Sequence, residues 1–190
     1  MKILGTLSLT LALGALAACT TGPKIRVDAA PGINVAAYQT YSFLEPFGTD
    51  RSGYGTTLSG HIKSATRTQM DARGYRYVEK DGDLLVNAST RSAEKTDVST
   101  MPGPDPWMGR YGRYGYWGGY NEQVVVSNYT EGTLVIDVVD RAKGQMIWSG
   151  AAIGRVTEKD RANIGPVISG AVGDIFAQYP KPAAGLPAAK

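Results

Sequence analysis

Apolar and polar residues alternate most regularly between Gly132 and Asp140, where Leu134, Ile136 and Val138 share one side and Thr133, Val135, Asp137 and Val139 share the other. A period of two is the pattern of a half-buried strand. A short turn, Arg141 to Gly144, follows, and Gln145 to Val156, with Met146, Trp148 and Ile153, then reads as an antiparallel partner. Further upstream Tyr41 and Phe43 alternate with Thr40 and Ser42, which predicts another strand. Short extended pieces are expected at Ile25 to Asp28, Tyr75 to Val78 and Glu122 to Tyr129, and a longer strand from Asp83 to roughly Val98.

Two stretches change period from two to three or four. Leu58, Ile62, Ala65 and Met70 put an apolar stripe on a helix from Thr57 to Arg73. Thr57 is placed to cap its start, and Gly74 to close it in a left-handed conformation. Val167, Ile168, Ala171, Val172, Ile175 and Phe176 mark a second helix within Glu158 to Tyr179, with Pro166 tolerated in its first turn and Pro180 enforcing a stop. Strands joined by hairpin-length links, with only two helices among them, predict an α+β domain over residues 25–180. Its expected architecture is a single antiparallel β-sheet with both helices packed on one face. The tail, residues 181–190, is rich in Pro and Ala and is expected to be disordered.

The first residues follow a different logic. Lys2 precedes an apolar run, interrupted by Gly5, Thr6, Ser8, Thr10 and Gly14, that ends in Ala17 and Ala18. This is the form of a secretory signal peptide over residues 1–18, and the run is too short and broken for the ~20 apolar residues of a spanning helix. Leu16-Ala17-Ala18-Cys19 resembles the lipobox of bacterial lipoproteins, in which cleavage after Ala18 leaves a lipid-modified Cys19 as the new N-terminus. Two or more acyl chains hold stably on a membrane where one holds only marginally. Residues 19–24 then form a lipidated tether. Thr20 stands where inner-membrane retention signals usually have aspartate, which implies the periplasmic face of the outer membrane.

Charge adds little beyond this. Without Lys2 the 20 basic residues fall to 19 against 17 acidic ones, a balance too even to suggest a polyanion. Cys19 is the only cysteine, so a lipidated chain has no thiol left for a disulfide and must rest on its core.

The segment Met101 to Tyr120 breaks the strand pattern with three prolines and six glycines. Within it, GRYGRYGYWGGY places glycine at 109, 112, 115 and 118, with Arg110, Arg113, four tyrosines and Trp117 between and after them. Interleaved arginines and rings suit single-stranded nucleic acid, but a periplasmic protein meets little of it, and no nucleic-acid partner is expected. Two readings stay open. The segment is a loop whose tyrosines fold back over the domain, or it is an adhesive surface for a protein, sugar or lipid headgroup, with Tyr114, Tyr116 and Trp117 as contacts.

Catalytic chemistry is sparse. His61 is the only histidine and lies on the first helix beside Ile62, as a surface or boundary side chain. Gly55 to His61 has phosphate-loop glycines without the required lysine. Asp81-Gly82-Asp83 begins like a calcium loop, but Leu85 stands where an oxygen ligand is needed. Asp137 and Asp140 are three apart on a strand and face opposite sides. No catalytic residue, metal or cofactor is expected apart from the covalent lipid, and the chain reads as non-enzymatic.

Several short motifs occur in a fixed order: Tyr38-x-Thr-Tyr-x-Phe43, Gly74-Tyr75, Asp83-Leu-Leu-Val86, Gly132-Thr-Leu-Val-Ile-Asp137, Trp148-x-Gly150 and Tyr179-Pro180. Together they resemble the bacterial lipoproteins that carry domain of unknown function 4136. The resemblance covers about Ile25 to Pro180, with Phe43 where that family frequently has tryptophan. It implies an α+β lipoprotein of the cell envelope, and it brings no established activity or catalytic residues. The expected role is envelope maintenance or accessory protein binding, with carriage of a lipid or other apolar ligand as the alternative. The oligomeric state is not legible.

Overall fold

A computed structural model describes residues 22–102 and 122–180. Six strands form one sheet: β1 (Lys24–Ala29), β2 (Thr40–Phe43), β3 (Arg76–Tyr77), β4 (Leu84–Pro102), β5 (Glu122–Asp140) and β6 (Gln145–Arg155). The helices are α1 (Thr57–Asp71), α2 (Glu158–Ala162) and α3 (Ile164–Ala177). The strand order is β1-β6-β5-β4-β2-β3.

The expected α+β class holds, and the sheet is mixed rather than wholly antiparallel. β4, β5, β6 and β1 pair antiparallel, while β2 runs parallel to both β3 and β4. The reason is connectivity. A helix between two strands returns the chain to the edge from which it started, so β2, α1 and β3 form a parallel crossover. A third helix is a further departure from the two expected. Asn163 leaves the helical conformation (φ −127°, ψ 53°) and separates α2 from α3.

The core lies between one sheet face and α1 and α3. Leu84, Val86 and Ala88 of β4 oppose Asp140, Val138 and Ile136 of β5, and Val138 and Ile136 oppose Trp148 and Gly150 of β6. All of these side chains are buried. Tyr41 and Phe43 extend the same face on β2, where they register with Leu84 and Val86. Fully burying side chains of this size contributes about 1.5–3 kcal/mol each.

Trp148 sits at the centre of an aromatic group. Its ring lies 5.6 Å from Phe176 and 4.9 Å from Tyr179, and Tyr179 meets Tyr75 edge-on at 6.2 Å. Burial pushes the phenols of Tyr75 and Tyr179 up, so both stay protonated. The Tyr75 hydroxyl donates to the Val35 carbonyl. Gly150 leaves the space this group needs, because a Cβ there would stand 2.5 Å from both Ile175 Cγ2 and Trp148 Cη2.

Helix α1 is capped by Thr56, whose side chain accepts from the Ser59 backbone N–H; the expected cap, Thr57, is the first helical residue instead. The expected left-handed glycine is present, with Gly74 at φ 86°. On the outer side of α1, Lys63 lies over Phe47, and Arg67 lies 3.7 Å over the Tyr77 ring. Long basic side chains thereby cover the aromatic edge of the sheet.

Candidate functional site

The most distinctive feature grows out of the two longest strands. β4 and β5 pair without a register break from Leu84↔Asp140 to Pro102↔Glu122. β6 accompanies β5 only as far as Glu131↔Arg155, and β2 accompanies β4 only from Leu84 to Val86. Beyond Glu94 and Thr130 the pair stands alone as a two-stranded ribbon, about 26 Å long at roughly 3.3 Å per residue.

Two-stranded ribbons are marginally stable without support, and here the support sits at the base. Arg155, at the end of β6, stacks 4.0 Å over the Tyr129 ring and also binds Asp97 at 3.1 Å. Arg161 of α2 donates to Thr130 Oγ1 at 2.9 Å, and Thr130 donates on to Glu94 Oε1. The capping box between Thr157 and Asp160 fixes α2 where Arg161 can reach. Lys95 and Glu131 face each other across the strands at 3.8 Å, and Thr96 donates to Asn128.

The two faces of the ribbon differ in chemistry. Lys95, Asp97, Ser99, Val125, Ser127, Tyr129 and Glu131 alternate onto one face. Thr96, Val98, Thr100, Val124, Val126 and Asn128 occupy the other, with Val98 directly opposite Val126. Val98, Val124 and Val126 are each about 60% exposed. By the period of two, this face continues the core face of Val86, Ala88, Ile136 and Val138, with Glu94 and Thr130 between the two stretches.

At the opposite end of the sheet lies a polar network. Asp83 Oδ2 accepts from the backbone N–H groups of Gln39 and Thr40, while the Asp83 N–H donates to Thr40 Oγ1. These backbone bonds hold the Asp83 carboxyl below its ordinary value. Asp140, only 3% exposed, receives the Lys143 ammonium at 2.9 Å and the Tyr38 hydroxyl at 2.8 Å. Lys143 first, then Tyr38, hold its carboxyl down to about 2. Arg141 ties the chain here to Asp81 and to the Gly82 carbonyl. Every charge in this network is matched, which is the chemistry of a structural clamp.

Asp81 and Asp83 thus serve as a turn before β4, as expected, and the bracket that Asp83 forms with residues 39–40 escaped sequence reasoning. Asp137 and Asp140 point to opposite faces as expected, with Asp137 accepting from Ser149 at 2.7 Å. His61 is half-buried and packs against Gly165, whose added Cβ would meet the imidazole at 3.0 Å. Two surface clefts are shallow. One of about 260 Å³ lies beside Pro31 and Met146 at the end of β1 and β6, and one of about 230 Å³ lies beside Leu44 and Arg141. Neither lies between the sheet and the helices.

Cys19 and Ala18, the contact candidates Tyr114, Tyr116 and Trp117, and the tail 181–190 all lie outside the described residues. The flanks of the glycine- and aromatic-rich segment are described. Pro102 and Glu122 are paired at the outer end of the ribbon, so the segment between them departs from that end.

An α+β domain with one mixed sheet, its helices on one face and a projecting ribbon, is the class these observations define. Residues 25–181 match the family defined by domain of unknown function 4136 (DUF4136), and the chain belongs to that family. No curated protein matches the sequence at a significant level. Among solved structures, the chain is similar to a PDZ domain protein from Parabacteroides distasonis (TM-score 0.48, 11% identity), with 84% of this chain aligned to 36% of that one. It therefore spans about a third of that protein's length. A PelC dodecamer from Paraburkholderia phytofirmans aligns at TM-score 0.44 and 9% identity over 81% of this chain and 94% of that one. A neuraminyllactose-binding hemagglutinin homolog from Helicobacter pylori aligns at 0.39 and 12% over 76% and 84%. All three are distant likenesses.

Proposed function

We propose that this protein is a non-enzymatic, lipid-anchored protein of the periplasmic face of the outer membrane, which uses its ribbon to hold the segment 103–121 out toward an envelope partner. The observation that carries the reading is the continuous β4–β5 pairing, which moves the flanks of an arginine-, tyrosine- and tryptophan-rich segment about 26 Å beyond the last residues level with β6. Rings that are half apolar and half polar favour contacts at protein and headgroup surfaces. Flanks placed at the outer end of the ribbon are what supports Tyr114, Tyr116 and Trp117 as partner contacts in this reading.

The anchor rests on the sequence Leu16-Ala17-Ala18-Cys19. Changing Cys19→Ala tests it by fractionation. The reading predicts that the wild-type chain sediments with outer membranes and the variant moves to the soluble periplasm. Unchanged membrane association of the variant contradicts it. The carrier alternative calls for an apolar cavity between sheet and helices, and the two clefts described above lie elsewhere.

A further inference from the structure

We infer that the free edge of β4 pairs with the same edge of a second copy of this chain, antiparallel and about a twofold axis through Thr96, so that two six-stranded sheets join into one. The inference goes beyond the proposed function and stands without the membrane anchor.

The first support is the edge itself. The Leu44 N–H donates to the Val86 carbonyl, so the even-numbered residues of β4 turn their backbone groups away from β5. The Asp83 carbonyl, out of phase with them, accepts from the Arg141 N–H on the β5 side. β2 accompanies the free edge only to Val86, and Gly48 closes it at Ala88, where an added Cβ would stand 2.5 Å from the carbonyl oxygen. From Thr90 to Pro102 no described strand pairs with it. Over this stretch β4 keeps one register with β5 and has no proline before Pro102. A long, straight edge with open N–H and C=O groups is a template for another strand, and natural sheets normally shorten, kink or cover it. In strand addition of this kind the main-chain hydrogen bonds supply the affinity, and alternate side chains supply the specificity.

The second is register. Two such edges bond antiparallel only where even-numbered residues face even-numbered residues. The stretch Thr90 to Pro102 is centred on Thr96, and full overlap sets Thr96 opposite Thr96, Glu94 opposite Val98 and Ser92 opposite Thr100. The same register sets Lys95 of each copy opposite Asp97 of the other, at the closely spaced positions where cross-strand side chains interact best. Moving the centre by one residue opposes Lys95 to Lys95 or Asp97 to Asp97, and centring on Glu94 opposes that carboxylate to itself. Like charges directly opposite are destabilising.

The third is the charge already in place. Lys95 and Asp97 are both half-exposed, with Lys95 at 3.8 Å from Glu131 and Asp97 at 3.1 Å from Arg155. Pairing through β4 extends these contacts into rows of alternating sign, Glu131–Lys95 of one copy against Asp97–Arg155 of the other, and ion pairs count for most in such networks. The ribbon's other open edge, Val124 to Asn128 of β5, carries no charged residue and defines no such register. A twofold axis makes the β4 contact self-complementary and closed.

Cysteine crosslinking of the full chain in cells tests this. Ala93 and Ser99 face each other across the inferred axis, about 4.5 Å apart at Cα, a separation that a disulfide spans. Chains carrying Ala93→Cys and chains carrying Ser99→Cys, with tags of different size, are expressed alone or together; the native Cys19 is common to both. Under mild oxidation the mixed dimer is expected severalfold above either dimer of like chains. Adding Lys95→Asp to both chains, or Asp97→Lys to both, should lower that yield severalfold. Lys95→Asp in one chain with Asp97→Lys in the other should restore it, because both contacts then join opposite charges while each chain keeps the same internal charges as in the failing pairs. Circular dichroism of each variant should match the parent's. Equal yields of mixed and like dimers, no chain-to-chain disulfide, a disulfide to a different protein in its place, or no recovery in the charge-exchanged pair would overturn the inference. Should the chain prove soluble rather than anchored, the same crosslinks are expected in the soluble fraction, so the two readings fail separately.

Discussion

The guanidinium of Arg155 lies 4.0 Å over the ring of Tyr129. This contact joins the last residue of the three-stranded part of the sheet to the first unsupported turn of the ribbon, and the same guanidinium reaches Asp97 on the neighbouring strand. One side chain therefore grips both strands where the ribbon leaves the domain. If the ribbon holds its tip in a defined direction, Arg155 is where that direction is set.

Replacing Arg155 by alanine should loosen the ribbon without unfolding the core. A cation–π contact of about 0.5–1 kcal/mol and an exposed ion pair of at most about 1 kcal/mol are lost. Amide exchange near Val98 and Val126 should accelerate roughly fivefold, while that of Ile136 and Val138 stays the same. Equal protection of the ribbon in the variant would show that the brace is idle.

Two glycine-to-alanine changes should have opposite signs. A Cβ on Gly82 would stand 2.4 Å from the Tyr41 carbonyl carbon and 2.5 Å from the Ser42 nitrogen, so backbone must move. Overpacking of this kind costs about 1–3 kcal/mol. Gly60 lies inside α1 with nothing within 4 Å of its added Cβ, and Gly60→Ala should stabilise by about 0.5–1 kcal/mol through helix propensity. Chemical denaturation midpoints check both. A Gly82→Ala chain as stable as the parent would contradict the close approach.

Trp148 is the keystone of the aromatic group, and Trp148→Ala should cost about 3–5 kcal/mol. Thermal unfolding followed by circular dichroism reads this directly. A loss below about 1 kcal/mol would mean that the Phe176 and Tyr179 rings close over the space.

Acid should weaken the clamp around Asp140. Its folded value, about 2, lies below the ordinary carboxylate value near 4, so its contribution is complete above pH 4 and fades as pH falls toward 2. Asp83 is shifted in the same direction and adds to the same limb. Asp140→Asn should lower the denaturation midpoint at pH 7 and flatten the decline between pH 4 and 2. An acid limb as steep as the parent's would remove Asp140 from this account.

Much of this fold was readable because particular residues carry unambiguous signals. The alternation of Leu134, Ile136 and Val138 marked a strand with one buried face, and Gly74 and Gly144 both take positive φ where turns were expected. What escaped the sequence depended on distant partners. Residues 122–129 and 132–140 read as two strands separated near Gly132, yet they are one. Gly132 is small because a Cβ there would meet Val156 Cγ2 at 2.6 Å, a packing constraint that looks like a break in the pattern. The parallel placement of β2 was equally hidden, since a four-residue strand shows its faces but not its neighbours. Thr56 and Thr57 are both able to cap a helix, and only the position of the Ser59 N–H separates them. The candidate contacts at Tyr114, Tyr116 and Trp117 remain a reading of composition, now joined to the observed position of their flanks.

The most direct test of that reading is a photo-crosslinking residue in place of Trp117 in the full chain in living cells, with adducts identified by mass spectrometry and the same residue at Ser89 on the domain as a control. The account predicts one dominant envelope protein captured at 117 and not at 89. Self-adducts alone, or no adduct at either position, would contradict a partner-binding role for the ribbon's tip.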